Sequence, residues 1–93
     1  MNKQEMIELL KTDVNKWNEW KKDNLKTRID LSDADLTEAD LRKADLSEAD
    51  LTNAELTKAN LREANLCGVD LTTADLNGVY LNNSSGIAIG CVE

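Results

Sequence analysis

The sequence has no histidine and no phenylalanine, and its three aromatic residues are Trp17, Trp20 and Tyr80. Without histidine, the commonest acid–base group and metal ligand is missing. Without core aromatics, a chain of 93 residues has to bury its apolar side chains by some means other than a compact globule. No apolar run approaches the roughly 18 residues of a membrane span. The start also lacks the basic-then-apolar pattern of a signal peptide. The simplest expectation is a cytoplasmic protein with no membrane partner. Cysteine is scarce, and in that compartment Cys67 and Cys91 are expected as free thiols, with a disulfide between them as the alternative.

What the chain does have is a repeat. From Ile29 to Asn83 the sequence repeats every five residues, eleven times, with Leu at each centre: Leu31, Leu36, Leu41, Leu46, Leu51, Leu56, Leu61, Leu66, Leu71, Leu76 and Leu81. Two residues before each Leu sits Ala, Val or, at the first repeat, Ile29. Between the two sits Asp, replaced by Glu55, Asn60, Asn65 and Tyr80 at four places. An α-helix turns about 100° per residue, so a five-residue step would spiral the leucines round it and leave no apolar face. A continuous strand alternates faces with period two, so an odd step would throw successive leucines to opposite sides. The pattern works if the chain turns a corner in every repeat. Ala and Leu then point inward, the residue between them points outward, and the two residues after Leu make the turn. Gly68 and Gly78 fall at the second of those turn positions, where a type II turn wants positive φ, and Asn53 and Asn83 tolerate it.

This A-(D/N)-L-x-x pattern resembles the pentapeptide-repeat family. The resemblance implies a mainly β fold, a right-handed quadrilateral β-helix with four repeats to the coil and nearly three coils here. Periodicity alone gives a corner per repeat and does not count the sides.

The remaining segments read as attachments to that tube. Residues 1–28 form an expected α-helical N-terminal cap and linker, residues 29–83 the β-helix, and residues 84–93 a C-terminal tail. Asn2 followed by Glu5 resembles a capping box, and Thr12-Asp13 offers a second N-cap, so two short helices are expected with a break near Thr12, the alternative being one helix bent there. Trp17 and Trp20 suit the task of covering the open end of the tube, where strand edge and core leucines would otherwise be bare. Ser84-Ser85-Gly86 ends the repeats, and Ile87, Ile89 and Val92 follow in an alternating pattern. That tail either folds back over the last coil or brings two molecules together about a two-fold axis, and a homodimer through the C-terminal end is the favoured expectation.

Any function must lie on the outside. The formal net charge is −7, and a twenty-residue register sorts it unevenly. Asp30, Asp50 and Asp70 share one face, Asp35, Glu55 and Asp75 the next, and together they form a candidate acidic interaction face. The same register sets Glu38 over Lys58 and Lys43 over Glu63. The plainer reading makes the Asp residues turn formers that hydrogen-bond neighbouring backbone. A tube filled with Leu and Ala leaves no cavity for a substrate, so no catalytic, cofactor-binding or metal site is expected. Nor is a small-molecule substrate or a nucleic-acid partner. The function expected is a non-enzymatic structural or protein-interaction module with an unspecified protein partner. The family resemblance also implies an alternative, an acidic mimic of DNA that inhibits a nucleic-acid enzyme such as DNA gyrase.

Overall fold

A computed structural model describes residues 1–82 of the chain. It opens with two helices, α1 (Lys3–Thr12) and α2 (Val14–Asp23). Asn2 caps α1 reciprocally. Its side chain accepts from the Glu5 N–H at 2.8 Å, while the Glu5 carboxylate accepts from the Asn2 N–H at 2.9 Å. Donors left unpaired at a helix start are thereby satisfied. Asp13 makes the break between the helices. Its own N–H donates to the Leu9 carbonyl at 2.8 Å, and its side chain accepts from the Lys16 N–H at 3.1 Å, ending α1 and starting α2.

Beyond the helices the backbone makes one parallel bridge every five residues: Asp30 to Asp50, Asp35 to Glu55, Asp40 to Asn60 and Asp45 to Asn65, then Asp50 to Asp70, Glu55 to Asp75 and Asn60 to Tyr80. Each bridge joins residues twenty apart, so four repeats make one coil. Leu31 N–H donates to the Asp50 carbonyl at 2.8 Å, and Asp50 N–H donates back to the Ile29 carbonyl at 2.8 Å. The same exchange recurs on every side. No continuous strand forms among the described residues, and the β pairing consists of single bridges. A side held between two corners is too short for an ordinary strand of about five or six residues, so the sheet is reduced to a ladder of single bridges.

The corners explain how so little strand can be stable. At each one the N–H two residues before the next Leu donates back to the previous Leu carbonyl, as from Ala34 to Leu31 at 3.1 Å and from Ala54 to Leu51 at 3.0 Å. The third turn residue has positive φ at Asp33, Glu38, Lys43, Glu48, Asn53, Lys58, Glu63, Gly68, Thr73 and Gly78. Positive φ there and not at the residue before it is the type II pattern. Sequence reasoning placed Gly68, Gly78 and Asn53 in this conformation but not the charged residues, for which the left-handed region costs about 1–2 kcal/mol each. The neighbouring coil holds them, since Asp33 N–H donates to the Thr52 carbonyl at 2.9 Å and Glu38 N–H to that of Thr57 at 2.8 Å. Thr73, at φ 56°, is the poorest fit because its side chain is β-branched. Thr73→Gly is therefore expected to raise stability by about 1 kcal/mol in a urea titration. A loss instead would mean that the hydroxyl's bonds to the Asn53 side chain and the Thr72 carbonyl outweigh the strain.

Inside the coils the leucines stack in a column. Leu31, Leu36, Leu41, Leu46, Leu51, Leu56, Leu61 and Leu66 are buried to within 1% of completely, with Ile29 and the alanines from Ala34 to Ala64 packed beside them. Burial then falls away. Leu71 and Leu81 are half-buried and Leu76 is 36% exposed, because the third coil has no further described coil stacked on it.

The helices close the other end. Trp17 is fully buried in the same cluster as Met6, Leu10 and the first-coil leucines, and its indole N–H donates to the Asp45 carbonyl at 2.8 Å. Trp20 is half-buried, with its ring centroid 5.3 Å from that of Trp17. Asn18 completes the closure. Its amide donates to the Lys43 carbonyl at 2.9 Å and accepts from the Asp45 N–H at 2.8 Å, so one side chain pairs the bare edge as a neighbouring coil would. Lys21, buried to 4% exposure, reaches the Ser47 hydroxyl at 3.2 Å.

Two expectations need correction or deferral. Cys67 is disulfide-bonded and not the free thiol expected of it, which leaves the alternative reading for that residue. The expectations for the tail, namely the stop at Ser84-Ser85-Gly86, the alternation through Ile87, Ile89 and Val92, and the turn at Asn83, lie outside the described residues. Among the described residues no helix is long and apolar enough to cross a membrane.

Candidate interaction surface

The Asp and Asn residues before Leu have a job within the fold. Asp30 accepts from the Ser32 N–H at 3.0 Å, Asp35 from Thr37 at 3.1 Å, Asp50 from Thr52 at 2.9 Å, Asp70 from Thr72 at 3.0 Å and Asp75 from Asn77 at 3.1 Å. Asn60 and Asn65 make the same bond to Arg62 and Cys67, at 3.2 and 3.0 Å. These are Asx turns, in which the side-chain oxygen caps the first turn N–H. Hydroxyls reinforce several of them, Ser32 to Asp30 at 2.7 Å and Thr72 to Asp70 at 2.6 Å. Of the six residues of the candidate acidic face, Asp30, Asp35, Asp50, Asp70 and Asp75 therefore hold corners. Glu55 does not, since its extra methylene carries the carboxylate past the turn, and its side chain is exposed.

These bonds set the charge state of the ladder. The carboxyls of Asp30, Asp35, Asp50 and Asp70 lie below their ordinary value of 3.8, chiefly through side-chain hydrogen bonds from Ser32, Thr37, Thr52 and Thr72 and then through the backbone bonds. Asp30 on one side of Asp50, and Asp50 on one side of Asp70, push the other way, but the hydrogen bonds prevail. Asp40 is lowered too, first by the side chain of Arg42, which grips it through two bonds of 2.9 and 2.8 Å. Because folding lowers these values, the unfolded chain takes up protons first. The stability they supply is fully present above about pH 4, the ordinary aspartate value, and is lost as pH falls through the folded-state values. The unfolding midpoint is expected to stay level from neutral pH down to about pH 5 and to drop below about pH 4. A rise on acidification would show that relief of charge repulsion outweighs the corner bonds.

The side chains at the positive-φ positions have no corner duty. Asp33, Glu38, Lys43, Glu48, Asn53, Lys58 and Glu63 are all exposed and stand at the tips of the corners. Glu38 lies one coil from Lys58, and Lys43 one coil from Glu63, but neither pair closes to within the 4.0 Å of an ion pair. Long charged side chains on a convex corner gain little from pairing in water. The ion pairs that do form sit at the cap and on the third side: Arg28 with Asp50 at 3.2 Å, Lys3 with Asp30 at 3.9 Å and Arg42 with Asp40 at 2.8 Å. The corner tips, with the contacts of Asn18 and Lys21, are what sequence reasoning missed. The signal for the tips was present in their fixed place, second after each Leu.

Two hollows remain. An open groove of about 590 Å³ lies between the helix junction at Thr12 and Asp13 and the third side, where Lys11, Arg42 and Lys43 face Asp40 and Glu63. An apolar hollow of about 270 Å³ lies at the far end of the leucine column. Among the described residues no group of three His, Cys, Asp or Glu side chains is placed to hold a metal ion.

A column of Leu with an Asx corner and a type II turn every five residues also has known counterparts. The model for pentapeptide repeats (8 copies) matches residues 29–66 and 49–85. Among solved structures, a pentapeptide repeat protein (Rfr23) from the cyanobacterium Cyanothece 51142 is 43% identical over 59% of this chain, with a TM-score of 0.58. The match spans 38% of that protein's own length. No match emerges among curated proteins. With the repeat match running over more than half of its residues, the chain belongs to the pentapeptide repeat family.

Proposed function

We propose that the chain is a right-handed quadrilateral β-helix that acts as a non-enzymatic protein-interaction scaffold, with residues 1–28 as cap, 29–83 as tube and 84–93 as tail. The observation that carries this reading is the division of labour among side chains. Leu and Ala fill the interior, the Asp and Asn residues before Leu are spent on the corners, and the tips of the corners, with Glu55, are left to meet a partner. Every resolved carboxyl shift is downward, away from the range a general acid or base at neutral pH needs. The partner is a protein, because an overall charge of −7 repels the phosphates of nucleic acid. Asp33 and Glu38 at adjacent corners, with the exposed Glu55 nearby in the second coil, give the first two sides an acidic outer rim. A partner surface rich in Lys and Arg fits it.

Disulfides persist in oxidising compartments and are rare in the cytosol, so a cytoplasmic setting goes with a reduced Cys67 and an oxidising one with the bonded form. The test of the scaffold reading is affinity capture from the native host, with wild type beside Asp33→Lys/Glu38→Lys. A protein retained by wild type and lost with the double variant, while both fold alike by circular dichroism, supports it. Retention unchanged by the charge reversal contradicts the acidic rim.

A further inference from the structure

The helical cap pairs the fourth side of the first coil and leaves the third side open. On that third side the Leu41 N–H donates to the Asn60 carbonyl at 2.8 Å, and the Ala39 carbonyl accepts from the Asn60 N–H at 2.9 Å, so both point to the second coil. Backbone groups alternate between the two edges of extended chain, so the N–H and carbonyl of Asp40 face the helices. On the fourth side the equivalent groups of Asp45 are taken, the N–H by the Asn18 side chain and the carbonyl by the Trp17 indole, each at 2.8 Å. Among the described residues nothing bonds the Asp40 N–H or carbonyl. The matching groups of Asp30 and Asp35 stand at the same edge, but it is Asp40 that lines the open groove of about 590 Å³ at the helix junction. The alanines record the difference in cover, with Ala39 8% exposed and Ala44 0%.

We propose that this groove is a docking site for an extended acidic peptide of a partner protein, which adds one parallel bridge to the first coil at Asp40. The site is separate from the acidic rim and takes the opposite charge. An unpaired edge is a template for another chain, whose main-chain bonds give affinity and whose side chains give specificity. The tube itself shows the pairing. Ile29 accepts from the Asp50 N–H and Leu31 donates to the Asp50 carbonyl, both at 2.8 Å. Three peptide residues in that register offer a carbonyl to the Asp40 N–H and an N–H to the Asp40 carbonyl. The residues on either side of the bridging one point inward, toward the half-buried Val14 on the groove wall. Charge selects the rest of the peptide. Arg42 already grips Asp40 through two bonds of 2.9 and 2.8 Å, and Asp13 is occupied by the Lys16 N–H. Lys11 and Lys43 line the groove, are exposed and close no ion pair among the described residues, with Glu63 the one acid left to oppose them. Charges are screened over about 8 Å at physiological salt, so these two lysines outweigh the distant acids of the first two sides.

The test uses the full chain and the blocked peptide acetyl-Glu-Val-Thr-Val-Glu-amide, with amide proton exchange as the readout. In the free protein the Asp40 amide is expected to exchange faster than that of Asn60, which is bonded to the Ala39 carbonyl. Saturating peptide is expected to slow exchange at Asp40 by about tenfold and to leave Asn60 unchanged. Replacing both Glu residues of the peptide with Lys is expected to weaken binding by about tenfold, since two exposed charge pairs turn from attraction to repulsion. Lys11→Glu/Lys43→Glu is expected to weaken the acidic peptide to a similar degree while the circular dichroism spectrum stays that of wild type, because neither side chain makes a bond within the fold. Methylating the nitrogen of the fourth peptide residue, the donor to the Asp40 carbonyl, is expected to abolish binding. Slow exchange at Asp40 in the free protein, no binding of the acidic peptide, or binding that leaves Asp40 exchange untouched would each overturn the proposal. So would equal binding by the lysine peptide, the double variant or the methylated peptide.

Discussion

Replacing Trp17 with Ala is expected to remove about 3–5 kcal/mol of stability, the largest single loss anywhere in the chain. Three effects coincide at this side chain. The ring is fully buried between the helices and the first coil. Its N–H caps the Asp45 carbonyl at 2.8 Å, so truncation also leaves a backbone acceptor unpaired. Its loss further frees α2, and with it the Asn18 amide that pairs the edge at Lys43 and Asp45. A domain of this size has about 5–15 kcal/mol in all, so the variant should be close to unfolded at physiological temperature. Trp20→Ala is the control. That ring is half-buried and is expected to cost distinctly less. Equal losses for the two in a urea titration would contradict the placing of Trp17 at the seal.

Leu51→Ala should cost about 2–5 kcal/mol. Leu51 sits in the second coil on the side shared with Leu31 and Leu71, and it is completely buried. A tube whose other wall residues are alanines has little that can move in to fill the space, which points to the upper half of that range. Leu76→Ala deletes the same atoms from a position already 36% exposed, and about 1 kcal/mol or less is expected because little area leaves water there. The pair distinguishes a stack whose stability is concentrated in its inner coils from one in which all leucines count alike.

Much of this fold could be read from spacing. A five-residue period with Leu at its centre excludes a helix face and a flat strand, and so requires corners; the side-chain acceptor before each Leu then suggests how the corners close. Other features were not legible, for identifiable reasons. Positive φ at Glu38, Lys43 and Lys58 is imposed by the neighbouring coil against local preference, and only the fixed position in the repeat hints at it. Asn18 and Lys21 act through contacts with residues 25 to 27 positions away, and no periodicity relates them. The acidic face was the most visible feature of the sequence, and its meaning changed most, since charge pattern alone does not distinguish a carboxylate offered to a partner from one accepting a backbone N–H. Among the described residues the core and the corners are determined by short-range rules, whereas the binding surface is whatever those rules leave over.

The central claim is that the acidic ladder is there for its oxygen acceptors and not for its charge. Asp70 tests it best, since its oxygen takes bonds from both the N–H and the hydroxyl of Thr72 and no cation pairs with it. Asn keeps the acceptor and removes the charge, as Asn60 and Asn65 already do in their own repeats; Ala removes both. Urea unfolding of Asp70→Asn and Asp70→Ala at neutral pH is the direct measurement. Asp70→Asn should match or slightly exceed wild type, being relieved of repulsion from Asp50, and Asp70→Ala should lose about 0.5–1.5 kcal/mol with the corner bond. Equal losses in both variants, or no loss in either, would contradict the account.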